Sequence, residues 1–187
     1  MAAAEENKSG AVVVGHSWVT RLRKSGLLDS GFVKFVDLPG GTFPRLTELL
    51  GKEEACQRFD YVFVFLGGND LDNAWGLGEV CGVMKDCDTF LDQLRVVFPN
   101  AKFVVAQVEE RFEKGTLEAD LDFRRKSNKF NKWLNKSPKK DKIFHLRGGK
   151  NFGVPIWYLE DGVHLNQVGT LRLALQLNGY FEDRRAH

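Results

Sequence analysis

The sequence predicts an α/β fold, with one parallel sheet carrying helices on both faces, on three observations. Five short apolar runs occur at residues 11–14, 32–36, 61–66, 103–108 and 143–146. Between them lie segments whose apolar residues recur every three or four positions, long enough for the crossover helices that parallel strands need. The length, 187 residues, suits one domain with a single sizeable core. That domain is expected over residues 11–180, with a polar, disordered leader at 1–10 and a polar tail at 181–187.

The elements follow in order. Residues 11–14 read Ala-Val-Val-Val, the unbroken apolar run of a strand buried on both faces. After Gly15-His16-Ser17 comes a short helix through Val19, Leu22 and Leu27. The strand at 32–36 is ended by Leu38-Pro39-Gly40-Gly41. Pro44 suits the first turn of a helix carrying Leu46, Leu49 and Leu50. The strand at 61–66 runs into Gly67-Gly68-Asn69-Asp70, read as a turn. Val80, Val83, Cys87, Phe90, Leu91, Leu94 and Val97 then fall at helical spacing, stopped near Pro99-Asn100. A strand at 103–108, a long helix at 117–134 with a basic second half, a short strand at 143–146, a loop at 148–154 and a closing helix at 168–177 complete the chain.

Hydrophobic content of 43% and charged content of 28% are ordinary for a soluble globular protein. No apolar stretch approaches membrane-spanning length. The first eight residues are polar and acidic, unlike a secretory signal, which implies an intracellular protein. The three cysteines, Cys56, Cys81 and Cys87, are odd in number and match no zinc spacing, so they read as free thiols. His16 and His145 have no cysteine or carboxylate at ligand spacing, and the Gly40-Gly41 and Gly67-Gly68 pairs form no nucleotide fingerprint. Neither a metal nor a cofactor is expected.

Charge is unevenly spread. Residues 124–150 hold eleven basic side chains against Asp141 alone, a local +10 that leaves −8 on the remainder of a chain whose total is +2. Arg124, Arg125, Lys126, Lys129 and Lys132 form the densest part, interleaved with Phe130 and Trp133. Such a segment could attract nucleic acid or an anionic membrane surface. A solvated basic helix face with its aromatics in the core is the simpler reading.

The chemistry-bearing residues lie where strands end or a helix begins. Taken alone, Ser17 reads as a helix N-cap, and Asp161 likewise. A free serine is a weak nucleophile and needs a base within reach. His164 is the candidate base, and Asp161, three residues earlier, is placed to steer the same imidazole. Asn69 could offer an amide donor, and a Gly40 or Gly41 N–H could approach a substrate closely. With the Ser17 N–H these would form a three-donor oxyanion hole. Trp18, Phe43, Trp75 and Trp157 could border an acyl pocket, although packing in the core or at the rim is the default for each.

In this order of Ser17, Gly40 or Gly41, Asn69 and Asp161-x-x-His164, the chain resembles the SGNH (GDSL-type) hydrolases. The resemblance implies a flavodoxin-like three-layer sandwich with a five-stranded parallel sheet. It assigns Ser17 as nucleophile, Gly41 in weak preference to Gly40 as the second-block glycine, Asn69 as amide donor, and Asp161 and His164 as the rest of a triad. The implied function is a metal-independent serine esterase acting on short-chain or lipid-like esters through an acyl-enzyme. Gly-His-Ser-x-x-x-Arg-Leu and Asp-Gly-Val-His-Leu-Asn are similar in form to SGNH domains encoded by animal transposable elements, including LINE-type first open reading frames. A catalytically idle module binding nucleic acid or anionic membrane through residues 124–150 is the alternative. The family usually reads Gly-Asp-Ser where this chain has His16, so the nucleophile loop must be braced differently here.

Overall fold

The computed structural model describes residues 10–29, 31–56, 59–109, 111, 117–145 and 155–185. In chain order the elements are β1 (Gly10–Gly15), α1 (Ser17–Ser25), β2 (Val33–Asp37), α2 (Phe43–Leu50), β3 (Phe59–Phe65), α3 (Gly68–Asn73), α4 (Gly76–Val97), β4 (Lys102–Ala106), α5 (Leu117–Leu134), β5 (Lys142–Phe144), a 3₁₀ turn (Pro155–Trp157) and α6 (Gln167–Arg185). The five strands pair in parallel, in the order β2-β1-β3-β4-β5. This is the doubly wound, flavodoxin-like order.

Strand alternation explains the unbroken apolar runs. Val12, Val14, Val62, Val64, Phe103 and Val105 pack in one core with residues of α2, α4 and α5. Their neighbours Ala11, Val13, Phe63, Phe65, Val104 and Ala106 pack in a second core with residues of α1 and α6. Both faces of the sheet are therefore covered, as an all-parallel sheet requires. No described helix is long and apolar enough to cross a membrane.

Most boundaries shift by one or a few residues from the sequence reading, and three differences matter more. Gly68–Asn73 forms a helix rather than a turn; six residues are too few for a periodic apolar signal. β4 ends at Ala106, and Val108, though buried, lies beyond it. α6 runs to Arg185, so residues 181–185 continue a helix instead of forming a polar tail. The reason is aromatic packing: the Phe181 ring lies 5.2 Å from Phe32 and 5.5 Å from Phe63. The expected leader lies outside the described residues but for Gly10, which opens β1, and the expected loop at 148–154 lies outside them entirely.

The topology places the site. From β1 the chain crosses to β2 on one side and then returns to β3 on the other, so a crevice opens beyond the carboxyl ends of β1 and β3. Gly15 is in register with both Phe65 and Asp37. The three chain exits that lead to Ser17, Asn69 and Gly40-Gly41 therefore stand side by side.

Candidate active site

Ser17 is delivered by a tight exit from β1. A Cβ at Gly15 would stand 2.4 Å from the Phe65 carbonyl oxygen and 2.7 Å from Val19, so a side chain there would push the strands apart. His16 is extended and caps α1, its Nδ1 accepting the Trp18 N–H at 3.4 Å. Ser17 is thus the first helical residue and not the cap. This corrects the N-cap reading and leaves the hydroxyl uncommitted to the helix.

His16 also holds the turn before Ser17 through this cap. Accepting through Nδ1 fixes the neutral ring with its proton on Nε2. Burial, reinforced by the charges of Arg111 and His164, holds its pKa down at about 3. The Ser17 Oγ lies 3.5 Å from this Nδ1. So weakly basic an imidazole is a poor proton acceptor near neutral pH.

The second wall is the loop between the 3₁₀ turn and α6. Asp161 Oδ2 lies 2.7 Å from His164 Nδ1, while Oδ1 accepts the Val163 and His164 N–H groups at 2.9 Å each. One carboxylate therefore caps its own turn and orients the imidazole. Burial alone would raise the Asp161 pKa, but hydrogen bonds from the His164 backbone, the His164 ring and the Val163 N–H prevail and hold it near 2. Asn166 anchors the loop: its amide donates to Ile156 O at 2.7 Å and Tyr158 O at 3.1 Å, and its oxygen accepts the Gly169 N–H at 3.0 Å.

Trp18 joins the two walls. Its Nε1–H donates to Val163 O at 2.9 Å, tying the residue after Ser17 to the residue before His164. Ser17 and Val163 thus line one cavity although they come from opposite ends of the chain. No hydrogen bond within 3.5 Å joins the Ser17 hydroxyl to the His164 ring in this structure. Contacts of this kind are often long without substrate and close as it binds.

Asn69 sits in the first turn of α3, entered through Gly67, whose φ of 101° lies in the left-handed region that favours glycine. The Asn69 amide donates to Gly41 O at 3.0 Å, and its oxygen faces an Arg111 Nη2–H at 3.4 Å. The Gly41 N–H already closes a turn on Leu38 O at 2.8 Å. The Gly40-Gly41 turn thus meets the site through its carbonyl side, and neither glycine lines the pocket beside Ser17. That cavity, about 30 Å³, is lined by Ser17, Trp18, Asn69, Gln107, Arg111 and Val163 among others.

Arg111 was not singled out from the sequence. The available signal was its place just past the fourth strand, since ligand-facing residues collect beyond the carboxyl ends of parallel strands. Its guanidinium pairs with Asp72 and lies 4.6 Å from the Phe123 ring centre.

Three of the four proposed pocket aromatics belong elsewhere. Phe43 is 1% exposed and stacks with Phe90 and Phe130 in the core. Trp157 is buried in the other core beneath Arg172. Trp75 is 89% exposed and does not line the cavity. Trp18 alone of the four lines it. The basic segment also needs correction at Lys126, which is 5% exposed, with its ammonium on Asp122 at 2.8 Å and Ala74 O at 3.0 Å. Arg124, Arg125, Lys129 and Lys132 are exposed, whereas Phe130 is in the core and Trp133 packs half-buried against it, as the simpler reading expected.

Comparison with known proteins places the fold. The chain is similar to a GDSL-like lipase from Bacteroides thetaiotaomicron (13% identity, 98% of this chain and 93% of that one, TM-score 0.68). It is also similar to a member of the lipolytic G-D-S-L family from Veillonella parvula (13% identity, 93% and 98%, TM-score 0.64). A third similar structure is the C-terminal catalytic domain of Streptococcus pneumoniae peptidoglycan O-acetyltransferase A (13% identity, 95% and 95%, TM-score 0.61). No protein-family model and no curated protein sequence matches. At these identities the likeness establishes the α/β fold that the chain shares with GDSL-type hydrolases.

Proposed function

We propose that the protein is a serine esterase that hydrolyses short-chain carboxylic esters through an acyl-enzyme. The observation that supports this reading is the Trp18–Val163 hydrogen bond, which sets Val163, the residue before the Asp161-paired His164, on the wall of the cavity that Ser17 lines. Ser17 attacks the ester carbonyl as His164 takes its proton, and Asp161 stabilises the imidazolium that forms. His16 is too weak a base to compete for that role. The Ser17 N–H, at the start of α1, and the second hydrogen of the Asn69 amide stabilise the oxyanion. His164 then protonates the departing alkoxide and activates the water that releases the acid. The cavity beside Ser17 is narrow, which supports a short acyl group. The similar lipases and acetyltransferase act on esters or acetyl groups by their names, which agrees with this class.

The test is hydrolysis of p-nitrophenyl esters of increasing acyl length. Acetate should be cleaved fastest, with the rate falling sharply beyond butyrate, and Ser17→Ala should lose at least about 10³-fold in kcat. Equal rates in Ser17→Ala would sink the reading.

A second reading concerns partners. Arg125, Lys129, Lys132 and Lys136 repeat at helical spacing as one exposed stripe running along α5 and just past its end. Such a stripe suits a phosphate backbone. Single-stranded RNA binding should weaken steeply with salt and further on charge reversal at Arg125, Lys129 and Lys132; salt-insensitive or absent binding would remove it.

A further inference from the structure

We propose that Arg111 is a positioning residue for the oxyanion hole: its guanidinium, anchored on Asp72, holds the Asn69 side-chain oxygen and so decides which edge of that amide faces the reacting carbonyl. The inference rests on the esterase reading and extends it to a residue on β4's exit loop.

A side-chain amide presents an acceptor and a donor of nearly equal shape, so only its neighbours fix which way round it sits. Here both edges are specified. The NH2 group faces Gly41 O at 3.0 Å, and the oxygen faces the Arg111 Nη2–H at 3.4 Å. Turning the amide over would set its oxygen against a carbonyl and its hydrogens against a cation. Either mismatch is unfavourable, and together they leave one orientation, with one amide hydrogen on Gly41 O and the other available to the pocket.

The guanidinium is itself held by Asp72 and Phe123, and Gly68 leaves it room. Asp72 lies one helical turn beyond Asn69 on α3, so the two point the same way and meet the same planar fork. Phe123 of α5 closes one face of the guanidinium. On another side there is no Cβ, since one built at Gly68 would stand 2.7 Å from Nη2. The side chain is 8% exposed. Burial lowers the Arg111 pKa to about 10, partly offset by the Asp161 charge, so the group remains cationic at neutral pH. A lysine could supply the charge but not the two-pronged contact to Asp72 and Asn69.

Three variants test this. Arg111→Met removes the fork, Arg111→Lys keeps the charge, and Gly68→Ala pushes the guanidinium aside without removing it. Each should lower kcat for p-nitrophenyl acetate by about 10- to 100-fold, with KM changing less than about twofold, because the donor is misplaced in the transition state and not in substrate binding. In an Asn69→Ala background, Arg111→Met should cost nothing more, since there is no amide left to orient. Wild-type kcat in both Arg111→Met and Gly68→Ala, or losses that multiply with Asn69→Ala, would overturn the proposal. Thermal unfolding separates a variant that fails to fold, in which case Arg111→Lys and Gly68→Ala decide. An activity-independent readout is the Asn69 side-chain amide pair in ¹H–¹⁵N spectra. Arg111→Met should shift it or broaden it by exchange, and an unmoved pair would refute the positioning role even if no ester were ever cleaved.

Discussion

Asp70, next to Asn69 on α3, is 7% exposed, and its two oxygens fare differently. Oδ1 accepts the Phe43 N–H at 2.9 Å, whereas Oδ2 has no hydrogen-bond partner among the described residues. Burial raises its pKa from 3.8 to about 6, against the opposing Phe43 hydrogen bond. Between those values the folded protein binds more protons at Asp70 than the unfolded chain does, so this group's contribution makes stability fall as pH rises from 3.8 to 6. Asp70→Asn keeps the acceptor for Phe43 and removes the buried charge. It should therefore raise Tm at pH 7.5 and have little effect at pH 4; thermal melts at both values check this. Asp161 behaves oppositely: held near 2, it stays ionised wherever an esterase would be assayed. Asp161 should thus contribute nothing to the acid limb of kcat/KM. Asp161→Asn, which removes the charge and changes the ring's hydrogen-bond partner, should cost about 10²- to 10⁴-fold in kcat with KM little altered.

At the scale of elements, the site depends on the exit of β1 and the Trp157-to-Asn166 loop staying in contact. Trp18→Phe keeps an aromatic ring and removes the indole donor to Val163 O. It should lower kcat several-fold or more while leaving Tm within a few degrees, measured by steady-state kinetics beside a melt. Asn166→Ala removes an α6 capping acceptor and two donors to the 3₁₀ segment, so it should lower both. The contrast between elements also shows what could be read in advance. The strands were legible because burial on both faces leaves long apolar runs, and Ser17, Asp161 and His164 stood out as candidates because they lie where a strand ends or just before the closing helix begins. α3 was hidden because six residues carry no period, and its glycines read as a turn. The cap at His16 was hidden because histidine is an unusual cap and Ser17 beside it is a usual one. Phe43 and Trp157 appeared near the site only along the chain; in space they fill the cores, because large rings gain most from burial there.

For the whole molecule, the two cores couple the sheet to the helices that present the site. Phe63 is fully buried on the α1/α6 face, with its ring centre 5.2 Å from Tyr180, 5.5 Å from Phe181 and 6.1 Å from Phe144. Phe63→Ala should cost about 3 to 5 kcal/mol, read as a shift of the urea midpoint at unchanged slope. The charge asymmetry, in contrast, has little to do with the fold: Arg125, Lys132 and Lys136 are exposed, and Lys126 shows that even within a basic run one member can be recruited to hold α3's end. Neutralising that stripe should leave Tm nearly unchanged.

The measurement that bears most directly on the account is intact-mass analysis after exposure to a fluorophosphonate, followed by peptide mapping. A serine activated by His164 should form one adduct per chain, located on Ser17, absent from Ser17→Ala and strongly slowed in His164→Ala. An unmodified wild-type chain, or an adduct that survives Ser17→Ala, would contradict it.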